Sequence, residues 1–333
     1  MQFLIEHFKS IFLTQANSQP LAFVIAFTVT YVLTPLVRQR ALEMKLPERK
    51  QEHHLSHKDS SNIPRLGGIA IMISILVTII FYLAVFGRYT PHGIKHLELE
   101  AIMAGTLIMF FVGLLDDIKS LPCFTKLFAQ IFSASIVWFM GIKIQFLANP
   151  IHYIDHAQRA AFRLDDLMSF VITVLFIVAI TNAINLIDGI DGLAVGVCMI
   201  VSIASWAINL SPLLNQPAGA IFAATMAGAC FAFLRYNFNP ARIFLGDNGA
   251  YLLGFALACI SCIGLTKKVT VVILSPILLL VFVMPLLDMF YAVFRRASNN
   301  RNWFKPDLGH LHHQLLKEGY SEKQINYFFY VIT

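Results

Sequence analysis

The sequence predicts an all-α, polytopic transmembrane helical bundle of about ten helices, and three observations carry that expectation. Of 333 residues 57% are hydrophobic and only 13% charged, where a soluble domain of this size carries about 25% charge to keep its surface wet. Mean hydropathy is +0.69. The apolar residues also fall in long blocks, and about 20 such residues are what a helix needs to cross the hydrocarbon layer.

The blocks place nine spans near residues 20–37, 66–86, 100–115, 124–140, 167–184, 193–210, 218–234, 250–265 and 271–294. A tenth apolar stretch opens near Ile325 and reads as the start of a further, incomplete helix, since Thr333 follows too soon for a crossing. The segment 141–165 between the fourth and fifth spans has room for a short β-hairpin. The N-terminus lacks the charged n-region and cleavage site of a signal peptide, so the first span is expected to be retained. The whole of 1–333 reads as one integral-membrane domain. Five scattered cysteines suggest no disulfide framework. Cys259 and Cys262 form a C-x-x-C pair inside a span, where apolar packing is the expected role.

Most of the Lys and Arg residues fall in the loops after the odd-numbered spans. Positive charge is retained on the cytoplasmic side, which predicts a cell inner-membrane protein with its N-terminus outside. The net charge of +6 is thus an orientation signal, and no basic helix or aromatic platform outside the lipid supports nucleic-acid binding.

Four polar clusters occupy those same odd loops, as a single cytoplasmic site requires. The first, Gly113-Leu-Leu-Asp116-Asp117-Ile-Lys-Ser-Leu-Pro122 followed by Lys126, puts adjacent carboxylates at the end of an apolar helix. Two close carboxylates either raise one pKa, giving a proton acceptor, or hold a cation; a pair merely exposed to water is the plain alternative. The second, Asn182-Ala-Ile-Asn185-Leu-Ile-Asp188-Gly-Ile-Asp191-Gly-Leu193, gathers amide and carboxylate oxygens suited to a hard cation such as Mg²⁺. Turns alone seldom use so many ligand-type side chains. In the third, Phe244-Leu-Gly-Asp247-Asn-Gly249, the acid is a ligand or a helix N-cap. The fourth, His310-Leu-His312-His313 after Lys305, with Arg295, Arg296 and Arg301 before it, reads as a zinc site or an anion cradle. Its basic neighbours favour the phosphate-binding cradle. His53, His54 and His57 lie in a Lys/Glu-rich loop and read as solvated surface. Asp288, inside the ninth span, is either functional or paired with Arg295 and Arg296.

The run from Pro64-Arg-Leu-Gly-Gly68 through Asp116-Asp117, the 182–193 block and Gly246-Asp247 to His310-Leu-His312-His313 resembles the polyprenyl-phosphate N-acetylhexosamine-1-phosphate transferase family. It is most similar to the bacterial undecaprenyl-phosphate GlcNAc-1-phosphate transferase branch. The resemblance implies transfer of a sugar 1-phosphate from a UDP-sugar to a polyprenyl phosphate lipid, releasing UMP. It implies Mg²⁺ as cofactor, with Mn²⁺ as a substitute, held by Asn185 and Asp247. Asp116, Asp117 and Asp188 are implied as catalytic residues, with the Asp pair handling the lipid phosphate as base or organiser. Lys126 is implied at the diphosphate, Asp191 at the uridine, and Arg301, His310, His312 and His313 at phosphate and sugar. A homodimer is compatible with the family.

Three departures stand out. Lys45-Leu46-Pro47 replaces the usual acid-Lys-Pro turn, the 49–62 stretch is long, and Pro306-Asp307-Leu308 lacks the usual arginine before the histidines. His-x-His-His favours UDP-N-acetylglucosamine or a related donor over the muramyl-pentapeptide nucleotide. A secondary transporter is the rival from another class, but it would set its ionisable groups near the bilayer midplane and often show two similar halves. A scaffold protein would have no use for the 182–193 block.

Overall fold

In hydrocarbon every backbone N–H and C=O must find a partner within the protein, which makes helix the economical form for these apolar blocks. The computed structural model describes residues 15–44, 63–86, 96–149, 161–212, 214–264 and 311–333. Its helices are α1 (Gln15–Glu43), α2 (Gly67–Phe86), α3 (His96–Ile118), α4 (Cys123–Phe139), α5 (Asp166–Ile187), α6 (Leu193–Leu210), α7 (Pro217–Asn237), α8 (Gly246–Gly264), α9 (Leu311–Lys317) and α10 (Glu322–Ile332). Seven are long and apolar enough to cross a membrane, and α4 is a shorter apolar helix. These eight coincide with the first eight spans expected from sequence, so the chain is a multi-pass helical membrane protein. The ninth span, Asp288 within it, Arg295, Arg296 and Arg301, the loop bearing His53, His54 and His57, and the Lys45-Leu46-Pro47 turn lie outside the described residues.

The expected hairpin is present: β1 (Phe146–Ala148) pairs antiparallel with β2 (Ala161–Arg163), Phe146 opposite Arg163. It is pinned to α5, where Thr173 Oγ1 accepts from Ile144 N at 2.9 Å and Ser169 Oγ donates to Ile144 O at 2.8 Å. Asp165 caps the same helix by accepting from Met168 N at 2.7 Å.

Helix α8 runs through the middle of the bundle, packed on α2, α3, α5, α6 and α7. Close approach here depends on small side chains, because apolar lipid gives helices no hydrophobic reason to associate and packing must do it. Ala220, Ala224, Gly228 and Ala232 recur every fourth residue along α7, and a Cβ at Gly228 would strike the Phe23 carbonyl of α1. Gly113 of α3 likewise lies against the Asp247–Asn248 backbone of α8. A Gly113→Val substitution must push those two helices apart, so we expect a loss of about 3 kcal/mol, the upper end for overpacking. A lowered melting temperature in detergent would register it; an unchanged one would show that the crossing tolerates a side chain.

Pro35 within α1 has no N–H for the carbonyl four residues back. That carbonyl, on Tyr31, accepts instead from the Tyr236 hydroxyl of α7 at 3.1 Å. At the other end of the sequence, α10 starts with a capping box between Ser321 and Gln324. The helix lies against α6, burying Ile325, Asn326 and Phe329.

Candidate active site

The connections 118–123, 187–193 and 237–246 all leave helices at the same end of the bundle as the start of α2. Chain reversal therefore gathers the Asp-bearing segments there, however distant in sequence.

The start of α8 is the centre of the arrangement. The segment before α2 pairs with the segment before α8: Phe244 N donates to Pro64 O (2.9 Å), Gly67 N to Phe244 O (3.1 Å) and Gly68 N to Leu245 O (3.0 Å). Gly246, at φ +77°, turns the chain into α8, and a Cβ there would run into the Arg65 carbonyl. The first amides of a helix have no partner within it. Here Asp117, reaching across from α3, supplies one: its Oδ1 accepts from Asp247 N at 3.0 Å and its Oδ2 from Asn248 N at 2.9 Å. Asp117 is thus a cap provided by another helix, accepting from the first two side-chain-bearing amides of α8.

Asp116 faces the other way. It is 0% exposed, accepts from Lys126 Nζ at 2.9 Å and from Leu121 N at 2.8 Å, and lies within hydrogen-bond reach of the Asp247 carboxylate. Asp247 Oδ1 in turn accepts from Asn185 Nδ2 of α5 at 2.8 Å. One turn back on α5, Asn182 exchanges hydrogen bonds with Gln130 of α4 at 2.7 and 3.2 Å. Polar contacts thus tie α3 to α4, α4 to α5 and α5 to α8 at this end of the bundle.

Asp188 follows the last residue of α5. Burial, then the nearby charge of Asp247, pushes its carboxyl well above the ordinary carboxylate range, with Arg65 acting in the opposite sense. Asp188 therefore keeps its proton to higher pH than a solvated aspartate.

The structure thus brings together Asp116, Asp117, Lys126, Asn185, Asp188 and Asp247. Asp191 is set differently. It is 1% exposed, its Oδ2 accepts from Ala241 N at 2.9 Å, and its backbone carbonyl accepts from Asn326 of α10 at 2.7 Å. Arg301 and His310 lie outside the described residues. His312 and His313 fall on α9, and their side chains are outside the description.

Three residues were not singled out from sequence. Arg65 carries no signal in sequence beyond its place in the Pro64–Gly68 run, although its guanidinium acts on Asp188 and its carbonyl accepts from Asn248 at 3.0 Å. Gln130 carried a signal, being an amide inside an apolar span one turn after Lys126. Asn248 was hidden between the aspartate and the glycine of its motif.

Magnesium demands oxygen ligands and usually takes only one or two carboxylates, the rest coming from water and substrate phosphates. Two carboxylates within hydrogen-bond reach, Asp116 and Asp247, repel unless a proton or a cation lies between them. The donor set thus fits a hard divalent ion.

Fold and site together define a polytopic membrane enzyme whose acidic groups converge at one end of a helical bundle. Residues 99–265 match the family model described as glycosyl transferase family 4. A probable undecaprenyl-phosphate N-acetylglucosaminyl 1-phosphate transferase of Bacillus subtilis is 33% identical over 314 residues, covering 93% of this chain and 81% of that protein. The decaprenyl-phosphate N-acetylglucosaminephosphotransferase of Mycobacterium leprae is 32% identical, with 90% and 77% covered. A phospho-N-acetylmuramoyl-pentapeptide-transferase of Staphylococcus epidermidis is 27% identical, with 93% and 94% covered. This chain belongs to glycosyl transferase family 4.

Proposed function

We propose that this enzyme transfers N-acetylglucosamine 1-phosphate, or a closely related N-acetylhexosamine 1-phosphate, from a UDP-sugar to undecaprenyl or another polyprenyl phosphate. The first membrane-bound intermediate of a cell-envelope glycan would result. The observation that carries the reading is the junction of Asp116, Asp247 and Asn185, contributed by three helices at one end of the bundle. Relatives named for N-acetylglucosamine transfer match at higher identity than the one named for the muramoyl-pentapeptide substrate, which favours the former donor.

In the transfer an oxygen of the lipid phosphate attacks the sugar-bearing phosphorus, the bond joining the two phosphates of the UDP-sugar breaks, and UMP departs. Phosphoryl chemistry of this kind rests on positioning and charge neutralisation rather than on covalent work by the protein. When bound, Mg²⁺ would neutralise the diphosphate and polarise the bond to the leaving UMP. Asn185 and Asp247 are the residues that would hold it. Asp117 fixes the start of α8 and so the direction of Asp247. Lys126, 28% exposed at its side chain, offers a cation to incoming phosphate while it neutralises Asp116. Asp116 then either receives the lipid phosphate's proton or orders that phosphate. Orientation with this end toward the cytoplasm would give the site its soluble nucleotide, and Arg301 with the histidines of the 310–313 segment would hold phosphate and sugar.

Purified protein with undecaprenyl phosphate and a panel of UDP-sugars supplies the test. UMP should appear from UDP-N-acetylglucosamine, disappear with EDTA and return with Mg²⁺. Release from no sugar in the panel would sink the reaction, and release untouched by EDTA would sink the metal.

A further inference from the structure

We infer that Asn248 is a positioning residue of this reaction, an amide strap that joins α8 to both Asp117 of α3 and the Arg65 segment before α2. The inference deepens the proposed transferase reading and rests on it.

Asn248 sits in the first turn of α8, beside Asp247, and is 0% exposed. Its Nδ2 donates to Asp117 Oδ2 at 2.5 Å and to Arg65 O at 3.0 Å, while its own backbone N–H donates to the same Asp117 oxygen at 2.9 Å. Both amide hydrogens and the main-chain donor are therefore committed to two elements far apart in sequence. The surroundings leave space for this side chain by the absence of others. A Cβ on Gly68 would collide with Asn248 Oδ1, and one on Gly246 would come within 2.9 Å of both Asn248 Nδ2 and Asp117 Oδ2.

The consequence reaches the reacting groups by two routes. Through Asp117, the strap fixes the carboxylate that accepts from Asp247 N and so sets where the Asp247 side chain points. Through the Arg65 carbonyl, it fixes the backbone whose guanidinium acts on Asp188. Asn248 has no need to touch substrate for this. A hydrogen-bond donor is required rather than a particular bulk, because Asp117 would otherwise keep one buried lone-pair direction unfilled.

Four variants in the full chain separate this role from simple packing. Asn248→Ala should lower kcat for UMP release from UDP-N-acetylglucosamine by at least tenfold and leave the KM for the nucleotide within about threefold. Asn248→Leu, similar in size but without a donor, should do the same. Asn248→Asp, similar in shape but opposing the Asp117 carboxylate, should fall below both and lower the melting temperature. In the swap Asp117→Asn with Asn248→Asp, an amide again faces a carboxylate, and about half of that lost melting temperature should return. Should the alanine variant fail to fold, Asn248→Ser, which keeps one donor, is compared with the leucine variant: it should retain the higher kcat, and an equal loss in both would overturn the inference.

A leucine or alanine variant with kcat within twofold of the parent would overturn the inference. So would an Asp variant as stable as the parent, or a swap that recovers nothing. The swap is read by thermal unfolding, so it decides on the strap even if the parent protein releases no UMP from any sugar tried.

Discussion

Replacing Asp247 by alanine is expected to reduce UMP release by about 10³-fold or more while leaving the protein at least as stable as before. The first half follows from the position of the side chain, where it accepts from Asn185 and meets Asp116. One preorganised electrostatic group in a water-poor site contributes about 10²–10³ in rate, and here the same group is the proposed magnesium ligand. The second half follows from what alanine leaves in place. The Asp247 backbone N–H still donates to Asp117, so the cap of α8 survives. One member of a crowded set of carboxylates is removed, which relieves repulsion with Asp116. Functional sites commonly hold groups that favour activity at the cost of stability. UMP release and thermal unfolding in detergent check the two halves together. Activity within tenfold of the parent would remove Asp247 from the chemistry, and a large loss of melting temperature would make it a structural residue.

The contrast between Asp116 and Asp117 shows how far sequence could carry the argument. Their adjacency at the end of an apolar span marked both as functional, and on sequence alone they were interchangeable. On a helix successive side chains diverge by about 100°, so neighbours address different partners. Asp117 turns to the α8 amides and Asp116 to Lys126, a division that depends on where α8 lies. The spans themselves were legible because a bilayer imposes a length and a composition on every crossing. The hairpin was legible as a pause between spans, and its strands, three residues each, show why its register was not.

Asp191, which the resemblance places at the uridine, shows what the local sequence does not announce. The left-handed turn at Gly192, φ +83°, ends that loop, and the Asp191 carboxylate accepts from Ala241 after the following hairpin. Asn326 and Tyr330 of α10 then hold the Asp191 and Gly192 carbonyls, each at 2.7 Å. No local pattern in the 182–193 block announces partners that lie 50 and 135 residues away in sequence.

Lys126→Met is expected to cost about 3 kcal/mol of stability and about 100-fold in UMP release. Asp116 is fully buried and has its ion pair with Lys126 at 2.9 Å; methionine keeps the length of the stem and removes the charge. The remaining backbone donor, Leu121 N at 2.8 Å, satisfies one oxygen without neutralising the group. Breaking a buried pair on one side costs more than removing both members, because a bare charge is what burial penalises. Lys126→Met combined with Asp116→Asn should therefore regain most of the lost melting temperature and none of the lost activity. Lys126→Arg, which keeps the charge in a different shape, should lie between parent and Met variant in both respects. A double variant as unstable as the single one would mean that Lys126 supports the fold through its packing on α4. Recovery of activity along with stability would mean that Asp116 takes no part in the transfer, leaving the lipid phosphate to Asp117, Asp188 and the segment bearing His310.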